Sequence, residues 1–432
     1  MSFIIPINFY MKIAFVSYEY PPDTALGGIA TYVDQVSKLL KQRGHQIEIF
    51  SGSSYRHGTE IEDGIVVHRV QDKEKNRKNF SLNVGRVFAE RHTVVKFDVL
   101  EGAEIYAYAR GAVQLVPDIP LVVKLHTPSF VIRQINLVQP SIQMKVRRYI
   151  GALRRGNKPQ PFPRWHYDIK NDIERLHTLD ADEITTPSKA LGDKLIEVWE
   201  LPAEKVLHIP NPYIPSEELL NLPVKSNTNV VTFMGRLEVR KGVLDLARAI
   251  PLILQQYPNT RFRFVGRSLP LPLSNLNMQQ HIEKTVQRYR NSLEFTGSVR
   301  LDSIPSILAD TDICVFPSIW ENFPNVCLES MAAARGVVGS SAGGMMEMLD
   351  FGRTGRLIPP RSPEKIAKAV IELLENPELR MQLGQAARDR VLTEYNLERI
   401  GALQEASYVR AIERRQALGA RESKDSVSEG IA

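Results

Sequence analysis

The 432-residue chain has little cysteine: Cys314 and Cys327 are the only two. That excludes a disulfide framework and points to a reducing compartment. It also lacks any apolar run near the roughly 18–20 residues of a membrane span. The opening stretch FIIPINFYM is apolar but short, interrupted by Pro6 and Asn8 and without a basic leader, so it is not expected to act as a signal peptide. No third glycine follows Gly27-Gly28 at the dinucleotide-binding spacing, which disfavours a dehydrogenase. No Asp-x-Asp pair follows a strand as a metal–nucleotide clamp. Asp180, Asp182, Asp310 and Asp312 stand where strands begin, and turn-forming Asp explains them. No side chain is an obvious nucleophile.

What is present is ordinary for an enzyme. The residues are 43% hydrophobic, 24% charged and 8% aromatic, which excludes a largely disordered or fibrous chain. At about 150 residues per domain, the length predicts two to three domains. A net charge of +6 suits nucleic acid, an anionic membrane or phosphorylated substrates alike. RNA binding needs basic patches interleaved with stacking aromatics. Only Tyr149 and the Trp165 region approach that, so no nucleic-acid partner is expected.

Residues 1–10 read as an N-terminal extension. From Met11, a compact apolar strand (12–17), a helix with Ile29, Val33, Val36, Leu39 and Leu40 at helical spacing, and a strand at 47–50 form a β-α-β unit. Such units favour a parallel sheet with right-handed crossovers. Further strands are predicted at 64–70, 99–101, 120–125, 183–186 and 206–209. The polar, turn-rich NLPVKSNTN at 221–229 breaks the alternation, which restarts with strands at 230–234, 261–265, 293–296 and 312–316. We therefore expect an N-terminal domain over 11–222 and a C-terminal domain over 228–395. A helix follows over 396–415, with packing back on the N-terminal domain as one option, and then a disordered tail over 416–432. Facing doubly wound sheets create a cleft at strand C-terminal ends, where such sheets bind ligands.

The residues that carry chemistry concentrate in the second half. In TDICVFPSIWENFPNVCLESMAAARG, Glu321 lies in a loop and Glu329 in the helix after it. Eight helical residues span about 12 Å, comparable to the hexose–ribose separation in an extended nucleotide-sugar. Carboxylates suit both ends because each accepts two sugar hydroxyls at once. Read alone, the pair is equally two surface glutamates beside a helix N-terminus. In VVTFMGRLEVRKG, Arg236 and Lys241 precede a helix start near Val243, an arrangement preorganised for a leaving diphosphate or simply two solvated cations. Gly343-Gly344 precede a short helix and would let backbone N–H groups approach a phosphate, although most such pairs are turns.

Taken in order, Arg236…Lys241, Glu321-x7-Glu329, Gly343-Gly344 and Glu347 resemble a family 4 glycosyltransferase: an α/β protein of GT-B fold that uses a nucleotide-diphosphate sugar with retention of configuration. The similarity covers about residues 11–400. It implies two Rossmann-like domains facing across a cleft, with the nucleotide-sugar as co-substrate and no cofactor or metal. Arg236 and Lys241 would then neutralise the diphosphate, Glu321 would contact the donor hexose, and Glu329 would hold the ribose. Val299, within the segment from Gly297 to Arg300, would border the base. Gly28, Gly343 and Gly344 would meet the donor, and His126 would face the transferred sugar, although a histidine at a strand end is more often structural. In this picture the acceptor attacks from the front face and the donor phosphate takes its proton. Relatives usually carry glycine where Ala334 stands and proline where Gly336 stands.

The stretch IQMKVRRYIGALRRGNK over 142–158 holds six cations and no acid, with Ile142, Val146, Tyr149, Ile150 and Leu153 at helical spacing. It suits an anionic membrane surface, a pyrophosphate-linked lipid acceptor or an ordinary domain helix. PQPFPRWHYD after it reads as a loop at the cleft rim. The expectation is a cytoplasmic hexosyltransferase, peripheral on the inner membrane face as an option, acting on a glycan or lipid-linked acceptor in polysaccharide or glycolipid assembly. Rival readings are a sucrose-phosphate-type synthase, a sugar-nucleotide epimerase on the same scaffold, and a nucleotide-sugar-binding protein without turnover.

Overall fold

The computed structural model describes residues 10–24, 27–73, 79–136, 142–154, 156, 158, 166–272 and 274–429; at 142–145, 147, 148 and 421–429 it describes backbone alone. The segments 1–9 and 159–165 and Arg155, for which the sequence gives expectations, lie outside the described residues, as do the side chains of Ile142, Lys145, Arg147 and Arg148.

The first sheet comprises β1 (Lys12–Ser17), β2 (Gln46–Ser53), β3 (Gly58–Glu62), β4 (Ile65–Gln71), β5 (Val99–Ala103), β6 (Leu121–Lys124), β7 (Glu183–Thr186) and β8 (Val206–His208). Their spatial order is β3-β4-β2-β1-β5-β6-β7-β8. Every pairing is parallel except β3 on β4. The second sheet comprises β9 (Val230–Met234), β10 (Arg261–Val265), β11 (Leu293–Gly297), β12 (Ile313–Phe316), β13 (Gly336–Ser340) and β14 (Arg356–Ile358). Its order is β11-β10-β9-β12-β13-β14, all parallel. Apolar runs such as VVTFM and ICVF are buried along their whole length, as strands covered by helices on both faces must be.

Three strands go beyond the sequence expectation, each for a local reason. GTEIE at β3 is a polar, exposed edge, GVVGS at β13 is fully buried but half glycine and serine, and RLI at β14 is only a short bridge to its neighbour. None presents the clear alternation or β-branched run that marks a strand.

The largest correction concerns the C-terminus. The expected helix over 396–415 and, of the disordered tail expected over 416–432, the residues up to 429 form one helix, Leu397–Glu429, while 430–432 lie outside the described residues. RQALGARESK is rich in Ala, Leu, Arg, Glu and Lys, so polarity there signals a solvated helix rather than loss of structure. This helix crosses onto the first domain. Tyr408 and Ala411 join the core of Met11, Ile13, Val36 and Ile47. Tyr408 Oη and Gln404 Nε2 each donate to Glu101 Oε2 at 2.8 Å. Arg410 and Arg414 pair with Glu183, Arg415 with Asp182, and Glu405 with Arg43 and His45.

Among the described residues no helix is long and apolar enough to cross a membrane.

Candidate functional site

Because β11, β10, β9, β12 and β13 are parallel neighbours, the loops after them emerge along one edge. That edge gathers Gly297–Arg300, Arg236–Lys241, Ser318–Glu321 and Ser341–Gly344. Two glycines permit the gathering. Gly242 has φ +70°, and a Cβ there would lie 1.8 Å from the Pro317 carbonyl oxygen. The turn at 239–241 can therefore lie flat against the loop after β12, and Ile319 N–H donates to Arg240 O at 2.8 Å. Gly343, at φ +81°, would place a Cβ 2.1 Å from Glu321 O, so it packs on the Glu321 backbone.

This packing brings Lys241 to Glu321. Lys241 Nζ donates to Glu321 Oε2, Ser318 Oγ donates to the same oxygen at 3.2 Å, and Arg240 Nη1 lies 3.8 Å from Oε1. Burial works to raise the Glu321 carboxyl, but the Lys241 ammonium and Arg240 hold it below the usual carboxylate range. Burial in turn lowers the Lys241 ammonium against the pull of Glu321. Arg236 joins at one remove: its side chain is 59% exposed and pairs at 3.3 Å with Glu238, which also pairs with Arg240 at 2.9 Å. Two cations, Lys241 and Arg240, thus converge on one carboxylate.

Glu329 lies on the helix Asn325–Ala332. That helix begins after Glu321, so the two glutamates are joined by a loop plus one helical turn, and the 12 Å expected of an unbroken helix, from about 1.5 Å per residue, does not apply. Glu329 Oε2 is buried with no hydrogen-bond partner, and desolvation pushes the carboxyl up to about 7. A buried carboxylate oxygen lacking a donor is costly unless a ligand supplies one. Val299 packs partly buried against the core of Met234, Val265 and Ile304, at the same sheet edge. Gly344 donates its N–H to Glu321 O at 2.9 Å. That group is therefore taken up by the protein, which differs from the phosphate contact expected of it.

On the facing domain His126 follows β6. Its backbone N–H donates to Glu104 Oε2 at 2.8 Å, and its ring meets Tyr32 edge-on at 5.4 Å. Burial, helped by Lys124, lowers the imidazole to about 3, so it stays neutral. Gly28 opens the helix Gly28–Gln42, and a Cβ there would meet no protein atom. The Asp residues at strand starts are structural: Asp312 accepts from Thr228 and Asn229 N–H, Asp182 accepts from Leu121 N–H, Asp310 binds Arg263 and Asp180 binds Arg110.

Several residues escaped sequence reasoning. Asn322 bridges the domains, donating to His126 O and accepting from Ser188 Oγ at 2.6 Å. Glu347, noted only as part of the pattern, accepts from Lys189 and Ala190 N–H at 2.9 and 2.7 Å, capping the first-domain helix Lys189–Trp199. Glu101 accepts from Tyr32 Oη at 2.8 Å and so links the C-terminal helix to the ring beside His126. The adjacency of Asn322 to Glu321 was the only signal for it. Glu101 gave none, since its partners lie 69 to 307 residues away.

The chain matches two family models, described as Glycosyltransferase Family 4 over residues 26–217 and Glycosyl transferases group 1 over 228–376. It is 25% identical over 409 residues to an uncharacterized glycosyltransferase of Methanocaldococcus jannaschii, covering 90% of this chain and 96% of that protein. Its fold is similar to sucrose-phosphate synthase from Thermosynechococcus elongatus, with TM-score 0.69, 23% identity, and 95% and 100% of the two chains covered. HepE from Anabaena, solved in complex with UDP, has TM-score 0.65 and 19% identity over 92% of this chain and 99% of its own.

Proposed function

The chain belongs to the glycosyltransferases of GT-B fold, and we propose that it moves a hexose from a nucleotide-diphosphate sugar to a glycan or lipid-linked acceptor with retention of configuration. The observation that carries this reading is the cluster of Lys241, Arg240, Ser318 and Glu321 at the sheet edge, with exposed Arg236 joined to it through Glu238. Lys241 and Arg236 neutralise the diphosphate as the glycosidic bond breaks, which stabilises charge where it develops without requiring a metal. Glu321, ionised and pinned by Lys241, accepts hydroxyls of the transferred hexose. Glu329 accepts the ribose hydroxyls with its buried, partnerless oxygen. Gly28 leaves room for the diphosphate at a helix N-terminus, Gly343 keeps its backbone close to the donor, and Val299 borders the base. Neutral His126 faces the transferred sugar, and the acceptor loses its proton to the departing phosphate on the front face.

The enzyme works in the cytoplasm. The helix Ile142–Arg154 lies on an anionic membrane, where its exposed Val146, Tyr149, Ile150 and Leu153 form one stripe at i, i+3, i+4 and i+7. Liposome binding unchanged by charge reversal of Arg147, Arg148, Arg154 and Arg155 would remove that part of the proposal.

The central test is transfer by the full chain from UDP-, GDP- and ADP-hexoses with excess chelator present, reading the product anomer by NMR. Retained activity and a retained anomer are expected, with Glu321→Gln lowering kcat by about 10²–10³ while the melting curve stays cooperative. Activity lost to chelator and restored by manganese, or an inverted product, would overturn the mechanism.

A further inference from the structure

A cavity of about 740 Å³ opens on the first domain, within the size range of small-molecule sites. Tyr106, Ser129, Phe130, Tyr167 and Glu174 line it. It adjoins the reaction cleft by construction: Ser129 and Phe130 lie three and four residues after His126, and the helix Ser129–Asn136 packs against the Val239–Lys241 turn that carries the cation of the donor cluster.

Two features of its walls point to one ligand chemistry. The first is a built aromatic surface. Phe130 and Tyr167 stack at 4.4 Å with planes 15° apart, backed by Trp199. Tyr106 presents a ring that is 49% exposed. Its backbone sits at φ +61°, a conformation uncommon for a bulky residue, and it is held there. Buried Glu174 accepts from Tyr106 N–H at 2.9 Å, Ser129 N–H at 2.7 Å and Ser129 Oγ at 2.5 Å, so one carboxylate fixes the loops after β5 and β6 together. A surface aromatic held in a strained backbone offers a flat apolar face at a set angle, which suits the C–H face of a pyranose ring. The second feature is charge. Asp168, Asp172 and Glu174 face the cavity against the guanidinium of Arg133, which, like His166, is exposed at its rim. These acids already accept from protein donors: Asp172 from Tyr167 Oη and Glu174 N–H, Asp168 from Asn171 Nδ2, and Glu174 from Tyr106 and Ser129. What the wall presents to a ligand is therefore their charge, which repels a phosphate group.

We propose that this cavity holds an uncharged sugar unit of the acceptor, with Tyr106 as its stacking platform and Glu174 as the positioning residue that sets the platform's angle. The inference rests on the glycosyl-transfer reading and narrows it from any acceptor to a neutral glycan end.

The test uses the full chain and two readouts. In the first, saturation-transfer NMR compares maltose, cellobiose and lactose with glucose 6-phosphate as probes. At least one neutral disaccharide is expected to bind, to weaken by about tenfold or more in Tyr106→Ala, and to be retained in Tyr106→Trp, while glucose 6-phosphate gives no signal. No binding by any neutral disaccharide, binding indifferent to Tyr106→Ala, or preferred binding of glucose 6-phosphate lost in Arg133→Ala would each overturn the proposal. In the second, donor hydrolysis without acceptor is measured in the same variants. Tyr106→Ala and Glu174→Gln are expected to leave it within about twofold of the unaltered chain, while Tyr106→Ala raises the acceptor KM. A chain that binds the disaccharide through Tyr106 yet consumes no nucleotide-sugar would defeat the transfer reading alone. Normal donor hydrolysis with an unmoved acceptor KM would defeat this inference alone.

Discussion

In the second domain the cleft loops are held by cations that meet a carboxylate: Lys241 and Arg240 converge on Glu321, and Arg236 is left extended. In the first domain the cleft loops are held by carboxylates that meet backbone N–H groups. Glu104 fixes His126, and Glu174 fixes Tyr106 and Ser129. Burial and mutual repulsion push Glu104 up to about 8. Two sheets of the same α/β design thus present two different edges. One gathers positive charge where a diphosphate would depart, and the other keeps its acids occupied with loop geometry and shows aromatic rings. A donor that develops charge and an acceptor that does not would call for this division.

The division can be broken most severely at Lys241. Lys241→Ala is expected to lower kcat/KM by about 10²–10³, measured as initial transfer rates, because the cation sits in a desolvated pair. A loss under about tenfold would mean that positive charge does not set the donor side apart. Glu329 gives the next largest effect and a pH signature. Its folded value of about 7 lies above the ordinary 4.5, so the folded state favours the protonated form. Stability from this group is full below pH 4.5 and is lost as pH rises through 7. Glu329→Gln should therefore stabilise the ligand-free chain by up to about 3 kcal/mol at pH 8 and by nothing at pH 4, read by urea unfolding. The same variant should weaken nucleotide-sugar binding, since the amide accepts fewer ribose hydroxyls. Equal stabilisation at both pH values would show that the carboxyl is not held in its neutral form.

The seam between the halves comes third. Glu347→Ala removes the second-domain carboxylate that caps Lys189–Trp199 and should cost about 1 kcal/mol in unfolding. Glu347→Gln should restore part of it. The smallest effect belongs to Ala334, which sits at φ +53°. Ala334→Gly should add about 0.5–1 kcal/mol by relieving the left-handed backbone, a shift visible as a few degrees in Tm.

The left-handed backbone accounts for the glycine that the family resemblance implies at 334. Gly336 has its own reason: a Cβ there would meet Arg380 Cγ at 2.8 Å. The donor side was readable because its residues sit in short, ordered loops of a repeating β-α pattern, where spacing along the chain maps onto one sheet edge. The acceptor side was not. Tyr106, Ser129 and Glu174 are separated by tens of residues, and nothing in YAYAR or DIERLHTL announces that a carboxylate will cross between strand ends to hold them.

By itself the sequence determined two parallel α/β domains, the break between them near 222–228, and the loops that carry Arg236, Lys241 and Glu321 to a single edge, because periodicity and loop spacing are local properties. Only the tertiary structure decided that Lys241 is fixed on Glu321 while Arg236 turns to Glu238, and that Gly344 serves the Glu321 backbone. It alone carried the last helix to Glu429 and across the first domain, and Asn322 to both Ser188 and His126. These outcomes depend on which distant surfaces desolvate one another, and no window of neighbouring residues contains that information.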